Sequence, residues 1–246
     1  LKELKKKAQK GRKLPIVEVF EGLQGEGPYV GCPSLFIRFG GCPVHCEFCD
    51  TKYSWEEGKL EGQLWQESDL IDKLFETEVD DIVLTGGEPL LYYQAISDWV
   101  LPLRMLGKRV FMETSGVFGV EEKALYQNRD VLARLLQHMT WIMSPKSCVD
   151  IEKYHWIKNV RFDDIYFKFV WEGDEKTKWF INEFFEYIEK PLYEKIEEHT
   201  VFVMPQGKLR EEVLGCAKDV WGFCQRFKLR YSPREHIIVW GNRREK

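Results

Sequence analysis

From Pro15 onward, short apolar runs alternate with longer stretches in which apolar residues recur every three or four positions. The short runs are rich in Val, Ile and Phe and read as strands. They cover residues 16–20 (IVEVF), 35–39 (LFIRF), 82–85 (IVLT), 109–114 (RVFMET), 141–144 (WIMS), 165–170 (IYFKFV) and 200–204 (TVFVM), with a short last one near 229–232. The periodic stretches read as helices. In residues 69–75 (DLIDKLF), Leu70, Ile71, Leu74 and Phe75 share one helical face, with Ser68 as the expected N-cap. Further helices are predicted at 95–106, 130–138, within 175–198 and within 209–227. Strands separated by helices predict parallel pairing, in an α/β sheet or barrel.

The loops after the strands are distinctive. GGCP comes after Phe39, GGEP after Thr85, SG after Thr114, PK after Ser144 and PQG after Met204. These loops collect at the C-terminal ends of the strands, where a parallel barrel builds its active site.

Composition and charge narrow the class. The chain has 246 residues, enough for one domain with a substantial core, here expected over 14–246. Residues 1–13 (LKELKKKAQKGRK) form a basic extension, read as a solvated tail rather than an RNA- or partner-binding arm. With 36 Lys and Arg against 40 Asp and Glu, the net charge of −4 gives no sign of a nucleic-acid binder. No apolar run reaches membrane-spanning length and no signal-peptide pattern opens the chain. The opening at Leu1 rather than Met is read as a missing natural start. Seven cysteines without a secretory signal predict reduced thiols and a cytoplasmic protein.

Three of those cysteines, Cys42, Cys46 and Cys49, lie within eight residues in a C-x3-C-x2-C loop. A structural zinc site usually takes four ligands. Here a second C-x2-C is absent, Cys32 precedes a strand, Cys148, Cys216 and Cys224 are scattered, and His45 is the one nearby alternative. A cubic 4Fe–4S cluster is normally held by four thiolates, so three leave one iron open. An electron-transfer iron–sulfur protein would need the fourth.

The C-x3-C-x-aromatic-C pattern, with Phe48 before Cys49, resembles the signature of the radical S-adenosylmethionine (SAM) superfamily, and TGGEP (85–89) strengthens the likeness. The resemblance implies that SAM chelates the open iron. It also implies that Phe48 lies near the adenine, and that Gly87 and Glu88 meet the amino group of the methionine moiety. Residues 20–55, with their LQGEG, FIRFGGC and CDT segments, are similar to the 7-carboxy-7-deazaguanine synthase family. ETSG (113–116), SPK (144–146), PQG (205–207) and HIIVWGNRR (236–244) continue the similarity, which is sparse between 149 and 201.

That family resemblance implies a reduced, open relative of the TIM barrel, usually homodimeric. The reaction converts 6-carboxy-5,6,7,8-tetrahydropterin to 7-carboxy-7-deazaguanine. Hydrogen is abstracted at C6, the ring contracts, the hydrogen returns and ammonia leaves. The cofactors are the cluster, SAM and magnesium, and an external donor such as flavodoxin or ferredoxin supplies the electron. Carried over residue by residue, SAM contacts fall on Phe48, Cys49, Asp50, Gly87, Glu88 and Ser115. They continue through Ser144, Pro145, Lys146, Met204, Pro205, Gln206 and Gly207. Substrate contacts fall on Leu23, Gln24, Gly25, Arg38, Thr85 and His236, and the magnesium position on Thr51. The residue chemistry agrees: Arg38 suits a carboxylate and the Thr51 hydroxyl a hard cation. A glycyl-radical-enzyme activating protein is the alternative, but it should lack LQGEG and the CDT threonine.

Overall fold

The computed structural model describes residues 11–56, 62–118, 127–188, 200–241 and 243–245. The apolar runs pair into one nine-stranded sheet of order β3-β1-β2-β4-β5-β6-β7-β8-β9. The strands are β1 (Lys13–Leu23), β2 (Pro33–Phe39), β3 (Gln63–Gln66), β4 (Asp81–Gly86), β5 (Arg109–Thr114), β6 (Thr140–Met143), β7 (Ile165–Val170), β8 (Val201–Met204) and β9 (Arg230–Tyr231). From β2 to β9 every pairing is parallel. The end strands β3 and β9 do not meet, so the sheet is an open, partial barrel.

The first strand departs from the expected parallel rule. β1 pairs antiparallel with both β2 and β3. Only residues 24–32 join β1 to β2, with one short 3-10 turn at Gly27–Tyr29. A parallel crossover needs a dozen or more residues, so this connection returns as a hairpin. β1 also runs on to Leu23, and β3 has no counterpart in the expected strands. β3 is four residues long, polar at both ends and anchored chiefly by the half-buried Trp65.

Among the described residues, five longer helices connect the strands: α1 (Glu67–Glu76), α2 (Tyr93–Met105), α3 (Arg129–His138), α4 (Asp174–Ile188) and α5 (Arg210–Phe227); a short α6 (Glu235–Trp240) comes after β9. α1 begins at Glu67 with Gln66 as its N-cap. Ser68 therefore lies inside the first turn rather than capping it, and its hydroxyl donates to Asp69 at 3.2 Å. The predicted helix within 175–198 is observed as α4, and its last part lies outside the described residues. The first ten residues of the basic extension do too, while Lys13 already belongs to β1 and Arg12 pairs with Glu67 at 3.3 Å. Among the described residues no helix is long and apolar enough to cross a membrane.

The pleat sorts the side chains into two layers, because successive residues face opposite sides. Ile37 and Phe39 of β2, Leu84 of β4 and Met112 of β5 pack outward under the helices, where Leu70, Ile96, Trp99 and Leu135 complete the main core. Burying a side chain of this size contributes about 1.5–3 kcal/mol. The other face carries a smaller apolar cluster of Phe36, Val83, Phe111 and Ile142, with Phe20 and Tyr29 packed against it. Two residues further along these strands, the same face presents Arg38, Thr85, Glu113 and Ser144. Lys168 of β7 joins them. The inner face is thus apolar below and polar at the strands' C-terminal ends.

Candidate active site

Beyond β2 the chain turns through Gly40 and Gly41, tied by Gly40 N–H to Pro15 O at 2.8 Å and Gly41 N–H to Ser54 O at 2.7 Å. The cysteine loop hangs between these ties. Cys46 is buried, Cys42 and Cys49 are half-buried, and all three line one cleft at the polar end of the sheet. Burial pushes the Cys42 and Cys46 thiols up to about 12, so a metal must displace protons to bind there. Among the described residues, no three His, Cys, Asp or Glu side chains are grouped closely enough to hold a single ion. A cubane spreads its ligands over separate irons and does not require that grouping. His45, the one alternative ligand, is exposed and stacks on Trp55 with centroids 4.8 Å apart. Cys148 Sγ comes within 3.7 Å of Cys46 Sγ but does not line the cleft. Three thiols facing the cleft fit a cluster with one iron left open.

The GGEP loop lies directly against the cysteine loop. Glu88 N–H donates to Gly41 O at 2.8 Å, and a Cβ on Gly87 would stand 2.0 Å from that same oxygen. Gly87 is therefore required first for the approach of two protein backbones. Gly87→Ala is expected to push the cysteine loop away, with reduced iron retention and a stability loss of about 1–3 kcal/mol or more. Iron content and a urea melt beside the wild-type protein check this; unchanged values would show that the loops separate without cost. Glu88 is expected from the resemblance at the SAM amino group, but it does not line the cleft. It is fully buried and accepts from Thr114 Oγ1 at 2.6 Å, Leu90 N–H at 3.0 Å, and Ser115 N–H and Oγ at 2.8 and 2.5 Å. Four donors occupy the carboxyl, and it ties the GGEP loop to the end of β5.

The opposite wall is charged. Arg38 Nε donates to Glu18, its register partner on β1, at 2.7 Å, and Arg244 also pairs with Glu18. Glu113 accepts from Thr85 Oγ1 at 3.0 Å and from Gln24 Nε2 at 3.2 Å, with Lys168 Nζ 3.7 Å away. Lys168 Nζ donates to Glu26 at 2.5 Å, and Arg234 Nε reaches Glu26 at 2.9 Å. Arg234 also bonds Asp50 and Gly207 O, joining three loops of the site. Burial would raise the Glu26 carboxyl, but Lys168, Arg234 and His236 outweigh it and hold it well below the usual carboxylate range. Burial depresses His236, only partly offset by Glu26, so the imidazole is neutral at neutral pH. A Cβ on Gly25 would stand 2.3 Å from His236 Nδ1, which explains a glycine there.

Residues 36–142 match the Radical SAM superfamily. The chain is 31% identical to the 7-carboxy-7-deazaguanine synthase of Hyperthermus butylicus over 234 residues, covering 92% of both chains. It is equally 31% identical to that of Pyrobaculum aerophilum over 234 residues, covering 94% of this chain and 96% of the relative. The chain belongs to the 7-carboxy-7-deazaguanine synthase family. A crystal structure of QueE from Escherichia coli shares the fold, with TM-score 0.61 and 21% identity over 93% of this chain and 96% of that one. As radical SAM enzymes, members of the family use a 4Fe–4S cluster and SAM, and the three-thiol loop is the part of this chain that fits the cluster.

The cleft brings most of the family's expected positions together. Phe48, Asp50, Thr51, Gly87 and Ser115 line it beside the three cysteines. Ser144, Lys146, Met204, Gln206 and Gly207 do so along the far strands, and Arg38, Thr85 and His236 at the charged wall. Lys146 is held by its own Nζ on Ser144 Oγ at 2.7 Å and its N–H on Tyr154 Oη at 2.8 Å. Pro145, Pro205, Leu23, Gln24 and Gly25 do not line the cleft. Gln24 and Gly25 act one step behind it, on Glu113 and His236. Leu23, expected in a substrate loop, is the last residue of β1, paired with Pro33 and largely exposed. Sequence reasoning misses Glu26, Glu113, Lys168, Arg234 and Trp55, all of which line the cleft.

Proposed function

We propose that this chain converts 6-carboxy-5,6,7,8-tetrahydropterin to 7-carboxy-7-deazaguanine and ammonia, in the biosynthesis of queuosine and related deazapurines. The observation that carries the reading is the sharing of one cleft by the three-thiol loop and a polar floor of Arg38, Thr85, Glu113 and Lys168. The cleft holds a cavity of about 230 Å³ that opens to solvent at its mouth.

When bound, the cluster and SAM supply one-electron radical initiation at the substrate. The protein's part is orientation, charge placement and exclusion of water. Among the described residues the Arg38 guanidinium bonds Glu18 through Nε, and its terminal nitrogens are placed to hold the substrate carboxylate. Glu113 is braced by Thr85 and Gln24 and faces the cleft as an acceptor for the amino and ring N–H groups of a pterin. Phe48, Ser144, Lys146 and the 204–207 segment form the SAM side of the same space. A flavodoxin or ferredoxin supplies the electron, and the working unit is a homodimer. The activating-enzyme reading is not favoured, since relatives matched over nine-tenths of their length are synthases.

The deciding experiment is an anaerobic assay of cluster-loaded protein with reductant, SAM, magnesium and the carboxytetrahydropterin. Stoichiometric deazapurine and ammonia are expected; SAM cleavage without ring contraction would sink the proposal. Magnesium belongs at Thr51, whose hydroxyl lies in the cleft 3.6 Å from Cys49 Sγ. A hard oxygen suits magnesium and not the soft cluster, and substrate oxygens would complete the site. Thr51→Val is expected to lower turnover and shift its magnesium dependence while iron content stays normal. Coincident magnesium titrations with equal maximal rates would make Thr51 a turn residue alone.

A further inference from the structure

Each of the three cluster thiols meets a hydrogen-bond donor of this chain, and Cys49 also has the Thr51 hydroxyl 3.6 Å away. The Val44 N–H reaches Cys42 Sγ at 3.4 Å, the Cys148 S–H reaches Cys46 Sγ at 3.7 Å, and the Trp55 indole Nε1–H reaches Cys49 Sγ at 3.2 Å. The indole contact is the shortest and comes from a side chain whose exchange removes no iron ligand. Its position is fixed from several directions. The 3-10 turn Lys52–Ser54 delivers Trp55, whose N–H donates to Lys52 O at 3.1 Å. Ser54 is fully buried, its carbonyl accepting from Gly41 and its hydroxyl donating to Thr51 O at 2.7 Å. His45 stacks nearly flat on the indole, with 10° between the planes. A tryptophan held this firmly, with its one polar atom on a ligand sulfur, does more than fill space.

We infer that Trp55 raises the reduction potential of the cluster through its indole N–H···S bond to Cys49. The inference rests on the reading of the three-thiol loop as the cluster site. A hydrogen bond to a ligand thiolate draws electron density off the iron and favours the more negative, reduced state. The step is a one-electron reduction: the electron comes from the external donor and stays on the cluster. The indole keeps its proton, so the potential depends on Trp55 without a proton being exchanged. Because SAM cleavage begins with that electron, Trp55 governs which donors are strong enough to drive the enzyme.

The test is a spectroscopic redox titration of cluster-loaded wild type and Trp55→Phe, which keeps an aromatic ring beside His45 and loses the N–H. Iron and sulfide content should be equal. The midpoint should move to a more negative value, the ratio of reduced to oxidised cluster at fixed poise falling by up to about tenfold, or about 59 mV for a one-electron couple. Equal midpoints with equal iron overturn the inference and leave the cluster reading intact. Wild-type protein that takes up no cluster overturns both. A second measurement covers a variant that fails to load. In reduced wild-type protein labelled with 15N in the indole, electron–nuclear double resonance should show an exchangeable N–H proton and a nitrogen coupled to the cluster. Absence of that coupling overturns the inference whatever the variant does.

Discussion

Single replacement of Cys42, Cys46 or Cys49 by alanine is expected to abolish cluster assembly, with iron falling from about four per chain to background. Each thiol faces the cleft, and no other cysteine lines it. A cubane left with two thiolates and two open irons has too few anchors to persist. The informative controls are the cysteines outside the loop. Cys224 is buried in the main core, Cys216 bonds the carbonyls of helix α5 and of Gln206, and Cys32 lies between the first two strands. Their replacement should leave iron content unchanged. Cys148 is the sharpest control, because its sulfur is 3.7 Å from that of Cys46. Cys148→Ala should retain a full cluster. Iron loss in that variant would make Cys148 a fourth ligand and remove the vacant iron that SAM needs. The measurement is iron and sulfide per chain after anaerobic reconstitution, read beside the visible spectrum.

The site is legible where the chemistry is concentrated in sequence and hidden where it is assembled across strands. Cys42, Cys46 and Cys49 announce themselves by spacing, and GGEP by its glycines. Lys168 does not. It stands in IYFKFV, where a strand reading requires only apolar residues, yet period-two alternation puts it on the face opposite Phe167 and Phe169. A lone lysine on a strand of a largely parallel sheet must be paired, and that is the available signal. Glu26 and Glu113 stand within LQGEG and ETSG, but the family's roles fall on their neighbours. What marks them is the burial of Lys168 and Arg234 beside them, which only the fold creates. Arg234 lies beyond β9 in an aperiodic segment and carries no signal at all. For the fold, the parallel strands from β2 onward are readable from their intervening helices. The reversal of β1 is set by the length of a connection, a weaker clue than composition.

Glu26→Gln is expected to destabilise the protein by about 3–5 kcal/mol at neutral pH, the usual cost of stripping one partner from a buried ion pair. The Lys168 side chain is 6% exposed and that of Arg234 is 5%, so neither charge can turn to water. Lys168 would keep Glu113, at the longer distance of 3.7 Å, and Arg234 would keep Asp50. The amide offers one neutral acceptor in place of two charged oxygens. The pH dependence separates this charge effect from a mere change of shape. Glu26 titrates in the folded chain well below its ordinary value of 4.5, so its contribution is fully present above that value. It is lost as pH falls through the lower folded value, because the unfolded chain takes up the proton first. Wild type should therefore lose stability relative to Glu26→Gln as the pH drops below about 4.5, and the gap between the two should close in acid. Anaerobic urea unfolding of both cluster-loaded proteins at neutral pH and at a series of acidic pH values measures this. A gap that stays constant across the series would assign the loss to packing rather than to the carboxylate, and Arg234 would then owe its place to Asp50 and Gly207 alone.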